Sequence, residues 1–336
     1  MREVKLILYF LTAAIAVGCV LRGMSAFGPY SGDNHTVFFN VKEGDSAAAV
    51  GERLEAKKLI REKAAFTFIC KTGKKAASLK PGVYSLRPNM TPKEIAEILA
   101  SGATDRVSVT VPEGYTVAQI EDRLRDKGLS VDGLRVKSER HDFVYGDYPE
   151  GYLFPDTYFF DGAAPASRIR DDMLADFKAK VLDKYGDEIY AAAQKRLGIT
   201  DRKKGLNAIL TVASLVEREA RTEKDRPLVA SVIYNRLRKD MRLEIDATVS
   251  YVPGVSKKNK ARTTYSDLNN KSPYNTYRNK GLPPAPICNP GVKAIEAAIR
   301  PADTNYLFYV ARKDGSHVFT RTFEEHKQAR KKYRGK

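Results

Sequence analysis

Two segments seventy positions apart carry the same pattern, and this repeat restricts the fold more than any other feature of the chain. Phe39–Leu59 reads FNVKEGDSAAAVGERLEAKKL, and Val109–Leu129 reads VTVPEGYTVAQIEDRLRDKGL. Val41 and Val111, Glu43 and Glu113, Gly44 and Gly114, Arg53 and Arg123, Leu54 and Leu124, Lys57 and Lys127, and Leu59 and Leu129 coincide. In each copy the apolar spacing predicts a short strand, the Glu-Gly pair a turn, and Ser46 or Thr116 the cap of a helix. Each helix is amphipathic, with Val50 and Leu54 on one face in the first copy and Val117, Ile120 and Leu124 in the second. Between the copies, LKPGVYSLRPNMTPKEIAEILASG predicts a strand and then a helix. That helix opens at Thr91-Pro92, has Glu94 placed for a capping box, and closes at Gly102. Short strands interleaved with helices predict an α+β chain.

The 336 residues hold 58 Lys and Arg against 41 Asp and Glu, a net charge of +17 that favours anionic partners. The first residues decide which anions are within reach. After Arg2 and Lys5, Leu6–Leu21 carries no charge and is followed by Arg22. Sixteen helical residues span about 24 Å, and the flanks extend the run to the thickness of a bilayer core. The pattern predicts a single membrane anchor over residues 1–23, with the rest of the chain outside the cytoplasm. A cleaved signal peptide, or a lipid attached at Cys19, are the alternatives, and both also export the chain. Nucleic acid is therefore not an expected partner. Residues 24–35, rich in Gly, Ser and Pro, read as a linker. Cys70 and Cys288 are far apart in sequence and read as buried small hydrophobes, and no pair of cysteines has the spacing of a metal site.

Farther along, EGYLFPDTYFF packs five aromatics around Pro155-Asp156-Thr157, either as a buried strand and turn or as a surface on which sugar rings stack. Residues 165–198 read as two charged amphipathic helices. Nucleophile and metal templates such as G-x-S-x-G, S-x-x-K, the P-loop and H-E-x-x-H are missing, and the four histidines are scattered. What stands out is LNAILTVASLVEREA, Leu206–Ala220, in which an uncharged helix ends on Glu217 and Glu219. On a helical wheel Glu217 lies over Leu210, Ala213 and Ser214, and Glu219 about 200° away over Val212, Leu215 and Val216. A carboxyl carried into such a run holds its proton more tightly, as a general acid must. The pattern does not choose between the two glutamates, and either can instead be a structural partner of nearby arginines.

The opening V-x-x-G-D-S of the first copy resembles the LysM module, a small βααβ fold that binds N-acetylated glycans. A plain α+β spacer is the alternative. The later blocks resemble the YceG-like family, the endolytic murein transglycosylases. They are EGYLFPDTY, Ala213–Glu217, Asn235-Arg236-Leu237, the M-x-L-x-x-D-x-T-V-x-Y stretch from Met241 to Tyr251, the Y-N-T-Y turn at Tyr274–Tyr277, and Gly281–Gly291, GLPPAPICNPG. Ala247 stands where the family often has proline. The resemblance implies an anchor over 1–23, a linker over 24–35 and a LysM-like module over 36–105. A second β-α unit over 106–155 would join the module to a mixed α+β catalytic domain over 156–336.

It further implies an enzyme without a cofactor that cleaves the MurNAc-GlcNAc bond of nascent glycan strands and leaves 1,6-anhydro ends. Glu217 would serve as acid and then as base. Asn235, Asp246, Tyr274, Asn275, Thr276 and Tyr277 are the candidate substrate-binding residues, with wall synthases at the membrane as partners. A non-catalytic wall-binding scaffold and a hydrolytic muramidase with two carboxylates are the alternatives.

Overall fold

The computed structural model describes residues 25–73, 79–104, 106–251 and 268–334. The expected anchor lies outside them. Among the described residues, no helix is long and apolar enough to cross a membrane. Chain contacts define two units. One comprises residues up to Val107 with Asp126–Ser130 and Phe159–Ala164; the other comprises Ser108–Arg125, Val131–Tyr158 and the chain from Pro165 onward.

In the first unit, β1 (Val37–Val41) pairs antiparallel with β2 (Gly82–Leu86), Val37 opposite Leu86 and Val41 opposite Gly82. Helices α1 (Ala47–Ala56) and α2 (Lys63–Thr72) lie between them in sequence, giving the strand-helix-helix-strand order that the LysM resemblance implies. Helix α3 (Pro92–Ser101) follows. Thr91 and Glu94 close its capping box, and Gly102 ends it with a φ of 72°. Phe39, Leu54, Phe66, Tyr84, Leu86, Ile95 and Leu99 fill one core, each large side chain contributing about 1.5–3 kcal/mol.

The second copy of the repeat folds like the first. Strand β3 (Arg106–Thr110) leads to helix α4 (Val117–Asp126). Gly44 and Gly114 turn the chain at φ values of 79° and 78°, a region open to glycine at no steric cost. Arg53 donates to the Asn40 carbonyl at 3.4 Å, and its counterpart Arg123 donates to the Thr110 carbonyl at 3.3 Å. Ser46 caps α1, while Thr116 and Gln119 cap α4 reciprocally. Val41, Leu54, Val111 and Leu124 are all buried.

β3 pairs with β4 (Thr157–Asp161). Helix α5 (Ala166–Phe177) runs through a π-helical turn, Lys178–Leu182, into α6 (Asp183–Leu197), so the two expected charged helices are joined without a loop. Helix α7 (Arg202–Glu219) is the axis of the second unit. It packs against α6, α8 (Arg226–Arg238), α9 (Asp246–Ser250) and α10 (Val292–Ile299). With neighbours on so many sides it needs no polar stripe, and Gly205–Val216 are all buried. Strands β5 (Phe308–Ala311) and β6 (His317–Thr320) form an antiparallel hairpin covered by α11 (Phe323–Arg334).

Of the aromatics in EGYLFPDTYFF, Tyr152, Phe154 and Phe160 are buried, whereas Phe159 is exposed. That cluster is chiefly core. Cys70 and Cys288 are free and buried.

Candidate active site

The last turn of α7 meets the first residue of α10, and Glu217 stands at the junction. The carbonyl end of its own helix disfavours a negative charge there. Two groups from other elements offset this. The backbone N–H of Gly291, which caps α10, donates to Glu217 Oε2 at 3.1 Å. The Arg226 guanidinium, at the start of α8, lies 3.2 Å from Oε1. Both side chains are largely out of solvent, at 7% exposure for Glu217 and 13% for Arg226.

A second carboxylate shares the same guanidinium, with Glu113 Oε2 at 3.9 Å from Arg226 Nη2. Glu113 lies over Gly291, where a Cβ would come within 1.8 Å of its Oε1. Gly291 thus leaves room for Glu113 and presents its N–H to Glu217. Burial pushes the Glu217 carboxyl above its ordinary range against the pull of Arg226 and the Gly291 N–H, and the charge of Glu113 raises it further. The result is a carboxyl that binds its proton more tightly than a free glutamic acid and still has a cation to pair with once ionised.

Buried polar groups set this junction. Asn289 is wholly buried, and its side chain makes four bonds. Its Nδ2 donates to the Tyr115 carbonyl at 2.9 Å and to Glu150 Oε1 at 3.2 Å, while its Oδ1 accepts from the Gly151 and Leu153 N–H groups at 2.9 Å each. Glu150 also accepts from Val117 N–H and from the Tyr251 hydroxyl, each at 2.9 Å. Burial drives its carboxyl up to about 8. Ser214, one turn before Glu217, accepts from Ile287 N–H at 3.1 Å and so fastens the proline-rich 281–291 segment to α7. Its partner there explains a serine inside an apolar run.

Beside α7 opens a cleft of about 860 Å³, lined by Arg218 and Glu219, by Asp246 and Tyr277, and by the β5–β6 hairpin. Glu219 accepts from the Tyr309 hydroxyl at 3.0 Å, and Tyr277 donates to Asp246 Oδ1. Asp246 and Tyr277, picked from the sequence, therefore meet in one cleft. Tyr274 is half-buried and edge-on to Tyr251 at 4.9 Å. Asn235, Asn275 and Thr276 are buried. Asn235 donates to the Thr304 and Tyr306 carbonyls, Asn275 to those of Leu268 and Asn270, and Thr276 accepts from Ile245 N–H. These three brace the loops around the cleft.

Sequence reasoning missed Arg226, Tyr309 and the role of Glu113. Arg226 signals only a helix start before Pro227, and Glu113 is visible solely as a member of the repeat. It also left the histidines without a constellation, yet His317 pairs in the cleft wall with buried Asp225, its Nδ1 3.0 Å from Oδ2.

With this geometry in place, the chain can be set beside known proteins. The YceG-like family pattern matches residues 39–332. A Bacillus subtilis protein named endolytic murein transglycosylase is 37% identical over 338 residues, covering 94% of this chain and 90% of that one. A Streptococcus pneumoniae protein of the same name is 30% identical over 325 residues. The match takes in 86% of this chain but 57% of the streptococcal protein. A crystal structure of a yceG-like protein from Listeria monocytogenes superposes with a TM-score of 0.58 at 34% identity, over 88% of this chain and 99% of the other.

Proposed function

The chain belongs to the YceG-like family, and from that premise we propose that it is a peptidoglycan lytic transglycosylase in which Glu217 moves the proton. One observation carries the assignment to Glu217. It is a largely buried carboxyl, raised above its ordinary range, at the end of the apolar helix and fixed by one guanidinium and one backbone N–H. Such a group protonates the bridging oxygen between N-acetylmuramic acid and N-acetylglucosamine as the bond to C1 breaks. As carboxylate it then takes the proton of the muramyl C6 hydroxyl, whose oxygen closes on C1. No water is consumed, and the strand ends in a 1,6-anhydro sugar. The ring closure is intramolecular, so little orientational entropy is lost. Arg226 and the Gly291 N–H stabilise the carboxylate between the two transfers. Asp246 and Tyr277 face the cleft and hold sugar hydroxyls there.

The shared guanidinium of Glu113 and Glu217 favours a second reading, a muramidase in which Glu113 activates water. Mass spectrometry of digested wall glycan separates the two. Anhydro ends support the transglycosylase, and reducing ends overturn it in favour of hydrolysis.

The strand-helix-helix-strand unit over 36–105 is assigned to holding glycan, and residues 1–23 to anchoring the enzyme in the inner membrane with its catalytic domain outside the cytoplasm, beside the wall synthases. A protease-protection assay on intact spheroplasts checks the topology: cleavage of the 156–336 region from outside is expected, and protection there contradicts it.

A further inference from the structure

The cleft beside α7 is built for more than a neutral sugar. Its carboxylates, Glu219, Glu244 and Asp246, are matched by a larger set of cations. Arg236 is already committed to Glu244 at 3.1 Å. Arg221, Arg312, Lys313 and Arg330 are exposed and form no ion pair among the described residues. They come from three separate places: Arg221 from the segment after α7, Arg312 and Lys313 from the turn of the β5–β6 hairpin, and Arg330 from α11. The turn draws them together. Gly315 takes a φ of 86°, and a Cβ there would touch the Arg221 side chain at 3.5 Å from Cδ. Arg312 is held by the Ser316 Oγ at 3.4 Å and lies over the Tyr333 ring; hydrogen bonds from Ser316 first, and then the Arg312 charge, keep the Asp314 carboxyl below its usual range. Against these four cations the turn sets one exposed carboxylate, Asp314, so this end of the cleft keeps a net positive charge that draws an anion.

In an intact strand the muramyl lactyl carboxyl is tied up in the amide to the peptide, so the sugar backbone itself supplies no anion. The groups attached to the muramyl sugar do, because its lactyl ether carries a peptide that ends in carboxylates. We infer that Arg221, Arg312, Lys313 and Arg330 form a subsite for the carboxylates of the stem peptide, and that the enzyme favours strands bearing stems over naked glycan. The inference rests on the peptidoglycan reading and deepens it. It divides the cleft into a sugar-binding end at Asp246 and Tyr277 and a carboxylate-binding end at the hairpin. Guanidinium and carboxylate pair through charge-assisted hydrogen bonds, so the preference belongs in KM rather than in kcat.

The test uses the full chain with two substrates, glycan strands with intact stems and the same strands stripped by an amidase, which leaves only the short lactyl carboxylate on each muramyl sugar. Both cleavage and equilibrium binding are measured. Wild type should favour the stem-bearing strand by about tenfold in kcat/KM. The R312A/R330A double variant should bring the ratio near one through a raised KM, with its melting temperature unchanged. Equal use of both strands by wild type overturns the subsite, and so does a double variant that loses both substrates alike. If wild type cleaves neither strand but still binds the stem-bearing one better, the catalytic reading fails and the subsite stands. If it neither cleaves nor discriminates in binding, both fail. Competition by inorganic phosphate or a polyphosphodiester, with none by free stem peptide, moves the site to phosphate anions and overturns the stem assignment.

Discussion

The turns Glu43-Gly44 and Glu113-Gly114 share a sequence, a backbone conformation and an arginine bond to the preceding strand, yet they do different things. Glu43 and Gly44 are exposed to solvent. Glu113 is exposed too, but it reaches Arg226 and lies over Gly291, and Gly114 is buried with Glu217 Cγ at 3.6 Å from where its Cβ would stand. The helices that follow also differ at their first N–H. Val117 gives its N–H to the buried Glu150, whereas α1 starts without a buried acid. One local solution therefore serves as scaffold in one copy and as a wall of the candidate site in the other. What separates them is the company of α7, α8 and α10.

Three tests sharpen that contrast. The largest effect on stability should come from Arg226→Ala, which strips a cation from a largely buried carboxylate and should cost about 3 kcal/mol in chemical denaturation at neutral pH. Arg53→Ala, which breaks the more exposed pair with Asp45 in the first copy, should cost about 1 kcal/mol or less. Equal losses would remove the distinction between the copies.

Glu150→Gln tests the helix start. The folded Glu150 keeps its proton up to about pH 8, whereas the unfolded chain gives it up near 4.5. The stability it confers is therefore full below about pH 4.5 and is lost as pH rises toward 8. Glutamine keeps the shape without the titration. Its melting temperature should exceed that of wild type by about 5 °C at pH 9, with a smaller difference at pH 5. A constant offset across that range would contradict a buried, titrating acid.

The smallest effect is a displacement of a pH profile. Glu113→Gln removes a charge that raises Glu217, so the alkaline limb of activity should move to lower pH. Glu43→Gln should leave the limb in place. Movement in both variants, or in neither, breaks the comparison.

The elements nearest their own sequence signals were the most legible. Ser46, the Thr91–Glu94 box, Gly102, and the Glu-Gly turns all act over three or four residues, and the structure follows them. The apolar run of α7 announced burial, but its direction did not show, because a helix enclosed by α6, α8 and α10 has no periodic face. The candidate site was legible in part. Asp246 and Tyr277 meet in the cleft. Asn235, Asn275 and Thr276 belong to equally distinctive blocks, but they bond backbone carbonyls and N–H groups. Glu113 and Tyr309 reach the site across tens of residues of chain, and Arg226 returns to Glu217 only after the turn between α7 and α8, so no helical or strand period encodes these contacts.

The central claim is that Glu217, and not its cleft-lining neighbour Glu219, moves the proton. The most direct measurement is the single-turnover rate of 1,6-anhydro product formation by Glu217→Gln and Glu219→Gln, followed by mass spectrometry on stem-bearing strands. Glu217→Gln should lower that rate about 10³-fold while melting like wild type, and Glu219→Gln should keep most of it. Retained anhydro product in Glu217→Gln, with its loss in Glu219→Gln, would contradict the account.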